Sequence, residues 1–356
     1  MVKLKKIQKK KKKTTEEIAQ EVESELEQSQ VPERKKSVSF NKVISTGSTL
    51  LDLAISGKKI RGGGIPGGIM AEIFGPESSG KTGVLSEVSA SAQSKGGDAK
   101  FLDPEARLDK EYATIYGLSL SDKGEDYDRP DTVKQMFDII WNWEPKNESK
   151  DIINVISADS LAALSTEMEM EDEDKMGMKR AKDFSEGLRK SCRMLANKNW
   201  LLFCSNQLRE STKGGADSPG GKAIKFYASL RIKIVPNFKN GKITKEKTLK
   251  SKVKVKHIAG INCTCKIVKS SIDNPFREAP ISIVFNYGID DVRANLQWYK
   301  EMTGSSSFYG GDLKTIDKAI QHIEDNDLEN ELKEKVIDLW EEIEDQFTIK
   351  RKKKKR

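Results

Sequence analysis

The sequence predicts an α/β fold, a mainly parallel sheet flanked by helices. Three observations carry this. From Val43 to about Val284, apolar runs of strand length alternate with segments of helical periodicity, the pattern of strands joined by helical crossovers. The run Ile69–Phe74 leads into a glycine-bearing segment, after which Val84, Leu85, Val88 and Ala92 share one helical face. No repeat of solenoid period interrupts the alternation. The clearest strands are Ile69–Phe74, Lys100–Leu102, Ile152–Ser157, Trp200–Ser205 and Leu230–Val235.

In chain order, residues 1–13 hold eight lysines and read as a basic disordered tail. Residues 14–42 read as a capped, acidic amphipathic helix over 14–30, with Ile18, Val22 and Leu26 at four-residue spacing, then Pro32 and a polar linker. Residues 43–288 form the core. Within it, 237–258 is lysine-rich, and Asn240-Gly241 signals a hairpin. Residues 289–349 read as a helix, a turn region over Gly304–Gly311 and two further helices, expected as a small C-terminal α/β domain. Residues 350–356 are seven cations in a row, a second basic tail.

The net charge of +8 divides unevenly. Setting aside the fifteen cations of the two tails leaves −7 for residues 14–349. The basic character therefore lives in the tails, where like-charge blocks attract polyanions such as nucleic acid. No apolar run approaches the ~18 residues of a membrane span, and the basic N-terminus lacks the apolar region of a secretory signal. Cys192, Cys204, Cys263 and Cys265 form no C-x-x-C pair and read as reduced thiols of a cytoplasmic protein.

Chemistry enters at Gly75-Pro76-Glu77-Ser78-Ser79-Gly80-Lys81-Thr82, a full match to the phosphate-loop pattern G-x-x-x-x-G-K-S/T in strand–loop–helix context. The N–H groups of such a loop cradle phosphates at the positive end of the following helix. Lys81 is expected on the β- and γ-phosphates and the Thr82 hydroxyl on Mg²⁺, so ATP and Mg²⁺ are the expected ligands. Val155-Ile156-Ser157-Ala158-Asp159 ends an apolar strand in an acid. Placed beside the phosphate-loop strand, Asp159 would serve the metal as a Walker B acid. Phe101-Leu102-Asp103-Pro104-Glu105 ends another strand in two carboxylates, of which Glu105 could deprotonate an attacking water, with Asp103 the next candidate.

Several stretches together resemble one family. Ile44-Ser45-Thr46-Gly47-Ser48, the Gly75–Thr82 loop with its Pro-Glu-Ser-Ser interior, Asp103–Tyr112 and Asp159-Ser160-Leu161-Ala162-Ala163-Leu164 are four of them. Ser205-Asn206-Gln207-Leu208-Arg209 and Gly220-Gly221-Lys222-Ala223-Ile224-Lys225-Phe226-Tyr227-Ala228-Ser229 complete the set. In this order and spacing the chain resembles the bacterial-type RecA recombinases over about residues 40–345.

The resemblance implies a RecA-like phosphate-loop ATPase core with an N-terminal oligomerisation helix. It implies Glu105 as the catalytic glutamate, Asp109 and Tyr112 on adenine, and Gln207 as the γ-phosphate sensor at the start of a second DNA-binding loop, 208–221. Met176 and Gly177 fall in the first DNA loop, with Lys182 and Arg189 on the helix after it. Arg209, Lys213, Gly220 and Gly221 belong to the second loop. Lys225, Phe226 and Arg231 match residues facing a neighbouring subunit, and Lys269 a cation inserted into the neighbour's ATP site. The implied activity is ATP-dependent strand exchange by helical filaments on single-stranded DNA, with duplex DNA as the second substrate. A single-strand-binding protein or loader is an implied further partner.

The sequence departs from the family pattern at three places. Ser271 stands where a second trans lysine is common, the second DNA loop is short and lacks wedging apolar residues, and the C-terminal tail is basic where the family's is acidic. A ring-shaped motor on the same core, or a scaffold that holds ATP as a structural ligand, are the alternative readings.

Overall fold

The computed structural model describes residues 42–121, 125–166, 178–210, 216–217, 221–237, 241–349 and 351. The N-terminal tail and helix, Met176, Gly177, Lys213, Gly220, Asn240 and, apart from Arg351, the 350–356 run lie outside the described residues. Residues 40–356 form one compact unit.

β1 (Val43–Ile44) pairs antiparallel with β2 (Ile65–Pro66), and between them Ser48 caps α1 (Thr49–Ser56) by accepting from the Leu51 N–H. β3 (Ile69–Gly75) is buried along its whole length, as a strand covered on both faces must be. It feeds α2 (Lys81–Ser94), where the predicted stripe of Val84, Leu85, Val88 and Ala92 is fully buried. There follow β4 (Ala99–Leu102), α3 (Lys110–Ile115), β5 (Tyr127–Asp128) and α4 (Val133–Asn142), which opens on a Thr132–Gln135 capping box. β6 (Val155–Ala158), a 3₁₀ turn at Leu161–Ala163, α5 (Met178–Lys198) and β7 (Leu201–Gln207) come next. β8 (Arg209–Glu210) and β9 (Ala216–Asp217) make a small ladder before α6 (Gly221–Tyr227). β10 (Leu230–Pro236), β11 (Lys242–Thr248), β12 (Lys254–Ser270), β13 (Glu278–Val284) and β14 (Gly288–Ile289) finish the strands. The last helices are α7 (Asp291–Thr303), α8 (Ile316–Asp325) and α9 (Glu329–Gln346).

The main sheet has the order β14-β13-β12-β10-β3-β7-β6-β4-β5, with β11 paired to β12. From β10 to β5 every pairing is parallel, and from β10 to β14 every pairing is antiparallel. Side-chain alternation divides the core in two. Ala71, Ile73, Phe101, Val155, Leu201 and Phe203 join one cluster with α1 and α2 residues, while Met70, Leu102, Ile156, Leu202 and Cys204 join another with α4 and α5 residues. Among the described residues no helix is long and apolar enough to cross a membrane.

Two expectations change. β6 does not lie beside the phosphate-loop strand; β7 takes that place, because its seven-residue register runs from Ile69↔Leu201 to Gly75↔Gln207. The lysine-rich hairpin turns at 249–253, and Asn240 of the Asn-Gly signal lies outside the described residues. β12 runs past the end of β10 and pairs with β11, so the chain reverses at 249–253, where the Leu249 N–H donates to the Val253 carbonyl and Lys252 has φ 63°. The described residues of 289–349 hold the last residue of β14, three helices and an isolated bridge, Phe308–Leu313. Their apolar residues Ala294, Leu296, Ala319, Ile323, Leu332 and Val336 join the first core cluster.

Candidate active site

The parallel strands end their C-terminal edges together, which is where open α/β sheets gather ligand-binding groups. Gly75 closes β3 opposite Gln207 of β7. One residue past the ends of β6 and β4 stand Asp159 and Asp103, and the Asp159 N–H donates to the Leu102 carbonyl at 2.9 Å. The loop then wraps onto α2. Gly80 has φ +88°, and a Cβ there would sit 2.1 Å from Ile283 Cδ1, so both backbone and space call for glycine. Lys81 Nζ donates to the Pro76 carbonyl at 2.7 Å and to that of Gly75 at 3.2 Å. Burial lowers the Lys81 pKa, and the charges of Asp159, Glu105 and Glu77 oppose that shift.

Two carboxylates organise the rest. Asp159 accepts from Thr82 Oγ1 at 2.5 Å and, through its other oxygen, from Ser205 Oγ. Burial raises its pKa; the two hydroxyls lower it, and Glu105 and Asp103 raise it further. Glu105 Oε1 accepts from Ser160 Oγ at 2.8 Å and Gln207 Nε2 at 3.0 Å, while Oε2 lies 2.8 Å from Arg107 Nη1. Asp103 has a structural task instead: one oxygen accepts from the Leu108 N–H and the Tyr127 hydroxyl.

These groups line a cleft of about 570 Å³ whose wall includes Tyr112, Tyr116, Ile261, Ile283 and Phe285. The Tyr112 and Tyr116 hydroxyls lie 2.7 Å apart with their rings edge to face. Phe285 and Tyr112 keep 51% and 40% of their surface exposed, leaving aromatic area free for a planar base. Asp109 is not among the lining residues; its side chain caps α3 by accepting from the Glu111 N–H. The donor chemistry suits Mg²⁺. Thr82 and Asp159 bring together hard oxygens, and that ion keeps waters and phosphate oxygens in its remaining positions.

A family model described as the RecA N-terminal domain matches residues 13–290. Over 256 residues the chain is 37% identical to protein RecA of Thermus thermophilus, covering 70% of this chain and 69% of that relative. It is 36% identical over 255 residues to protein RecA of Clostridium acetobutylicum, covering 69% and 66% respectively. The chain belongs to the RecA family.

Within this RecA-family chain the remaining expected residues that are described do not line the cleft. Lys269 Nζ donates to the Lys225 and Phe226 carbonyls at 2.8 and 2.9 Å, at the C-terminal end of α6. Burial and the nearby Arg231 lower its pKa. Phe226 is 75% exposed. Arg231, expected at a subunit face, is held inside the chain: its Nε lies 2.5 Å from Glu72 Oε2, and its guanidinium is stacked 4.5 Å from the Phe74 ring centre. Lys182 and Arg189 are exposed on α5. Arg209 is on β8, and Gly221 opens α6.

Sequence reasoning missed Ser160, Ser205, Arg107, Tyr116 and the apolar wall. Strand parity could have found Ser205, which faces the same side as Gln207 two residues on. Nothing local marks Ile261, Ile283 or Phe285, which β12 and β13 bring from far along the chain.

Proposed function

We propose that the chain is an ATP-dependent DNA recombinase that polymerises on single-stranded DNA and exchanges it with a homologous duplex. The observation that carries this is the 3.0 Å hydrogen bond from Gln207 to Glu105. Gln207 ends β7 and leads into 208–221, the segment assigned to DNA. Glu105 lines the same cleft as the phosphate loop. One side chain therefore links whatever occupies the cleft to the position of the DNA segment, the differential contact that coupling between two sites requires.

In this mechanism the N–H groups at the start of α2 and Lys81 hold the phosphates. Glu105 takes a proton from the attacking water as its oxygen bonds to the terminal phosphorus and ADP leaves, and Gln207 senses the terminal phosphoryl group. Thr82 and Asp159 would hold Mg²⁺, which neutralises phosphate charge in the transition state. ATP would lie between subunits, with Lys269 supplied by the neighbour. A repeated heterologous contact whose rotation does not close builds a helical filament and not a ring. First-loop residues Met176 and Gly177 with Lys182 and Arg189, and second-loop residues Arg209, Lys213, Gly220 and Gly221, would meet the DNA.

ATP turnover with and without single-stranded DNA, alongside electron microscopy of both mixtures, tests the proposal. The expected result is DNA-stimulated turnover and helical filaments. Closed rings without strand exchange would replace it with the motor reading, and binding without turnover with the scaffold reading.

A further inference from the structure

Phosphoryl transfer needs cations around the developing charge, and the described cleft is poor in them. Its charged lining residues are Glu77, Asp103, Glu105 and Asp159 against Lys81 and Arg107. Lys81 is buried and bonded to loop carbonyls, whereas Arg107 has 75% of its side chain exposed and touches the site through one contact, Nη1 to Glu105 Oε2 at 2.8 Å. The position that often carries a second trans lysine is Ser271, and its N–H is engaged by the Ser229 carbonyl.

Building on the ATPase reading above, we propose that Arg107 is a second catalytic cation of the cleft, supplied by the same chain that supplies the phosphate loop. Glu105 is 14% exposed, but the arginine side of the pair faces solvent, which weakens the hold on Arg107. A terminal phosphoryl group offers the planar guanidinium a doubly charged, bidentate partner. When Arg107 transfers from Glu105 to that group, Oε2 is freed as the proton acceptor. The water oxygen then bonds to the terminal phosphorus, its proton passes to Glu105, and the bond to the bridging oxygen breaks, giving nucleoside diphosphate and inorganic phosphate. A single movement would thus arm the base and neutralise the charge it helps create.

The test compares Arg107→Ala, Arg107→Gln and Arg107→Lys in the full chain, by steady-state ATP turnover and by equilibrium affinity for ADP and for a non-hydrolysable ATP analogue. Loss of one such electrostatic partner lowers kcat by about 10²-fold or more. Ala and Gln should show that loss together with about a tenfold loss of preference for the analogue over ADP. Lys should restore part of both. A fall in kcat with the analogue-over-ADP preference intact would mean Arg107 only holds Glu105 in place, and would overturn phosphate contact. Unchanged kcat and preference would overturn the proposal outright. A wild-type chain that binds both nucleotides but does not hydrolyse ATP would overturn the ATPase reading instead, leaving the affinity ratio to decide Arg107.

Discussion

The phosphate-loop cleft and the β11–β12 arm both concentrate charge, and they hold it in opposite ways. In the cleft, Lys81 and Asp159 are each bonded to two protein groups, burial shifts both pKa values, and Glu105 has both oxygens engaged. Along residues 242–256 the arm carries seven lysines and one acid. All seven are exposed, and Glu246 lies 3.3 Å from Lys254 and 3.7 Å from Lys256. A desolvated, directed charge acts through geometry, so a single atom decides the outcome. Solvated charges act through their number, so no single one does.

The comparison is strongest if one cleft atom outweighs several arm lysines. Glu105→Gln keeps the acceptor for Ser160 and Gln207 but removes the base and the charge facing Arg107. It should lower kcat by about 10²- to 10⁴-fold while nucleotide affinity stays within a few-fold. Near-normal turnover would move the base elsewhere and weaken the contrast. Lys81→Ala comes next. It removes the loop's one fixed cation, and kcat should fall by about 10²- to 10³-fold with a measurable loss of nucleotide affinity. Unchanged affinity by titration calorimetry would remove the phosphates from this loop.

Asp52 asks whether burial alone, away from any chemistry, makes a charge decisive. It accepts from Ser45 Oγ, the Thr46 N–H and Thr46 Oγ1. Burial nonetheless pushes its pKa up to about 6, against those bonds and the attraction of Lys333; Lys95 also feels its charge. With the folded value above the unfolded one, about 3.9, the folded state holds the proton more tightly. The stabilisation is therefore full below the unfolded value and declines as pH rises toward 6, by about 3 kcal/mol in all. Urea unfolding of wild type and Asp52→Asn between pH 4 and 7 measures it. The variant should lose that part of the decline, while the parts due to Glu87, pushed up to about 7 by burial, and to buried Asp291 remain. Parallel curves would show that Asp52 titrates alike in both states.

How much of this was legible follows from the range of the interactions. Strand, loop and helix at Ile69–Ser94 could be read locally, because alternation, glycines and a helical stripe each act over a few residues. Asp159 and Glu105 could be read as acids at strand ends. The intervening β7 could not, since order in a parallel sheet is set by pairings across the chain. Parity puts Ser205 on the Gln207 face, but its partner Asp159 follows only from the β6–β7 pairing. Arg231 shows the same limit. Its partner Glu72 is on β3, adjacent only because β10 pairs with that strand. The reversal at 249–253 carries no Asn-Gly signal, because the length of β12 and its pairing with β11 decide where that turn falls.

The smallest effects belong to the lysines, and they settle whether the arm is independent of the cleft. Each cation that neutralises a duplex phosphate steepens the fall of log affinity with log salt by about 0.9. Removing 350–356 should therefore flatten the salt slope for duplex binding by up to about 6, and Lys247→Gln, Lys250→Gln and Lys252→Gln together by up to about 3. Each arm substitution is on an exposed surface and should change stability by no more than about 0.5 kcal/mol. ATP turnover without DNA should match wild type in both proteins, since among the described residues neither region lines the cleft. Duplex-binding isotherms across salt, paired with DNA-free turnover, give the answer. Superimposable slopes would take both regions off the DNA. A fall in DNA-free turnover in the arm variant would tie the arm to the cleft, and the contrast between directed and solvated charge would no longer divide the molecule by region.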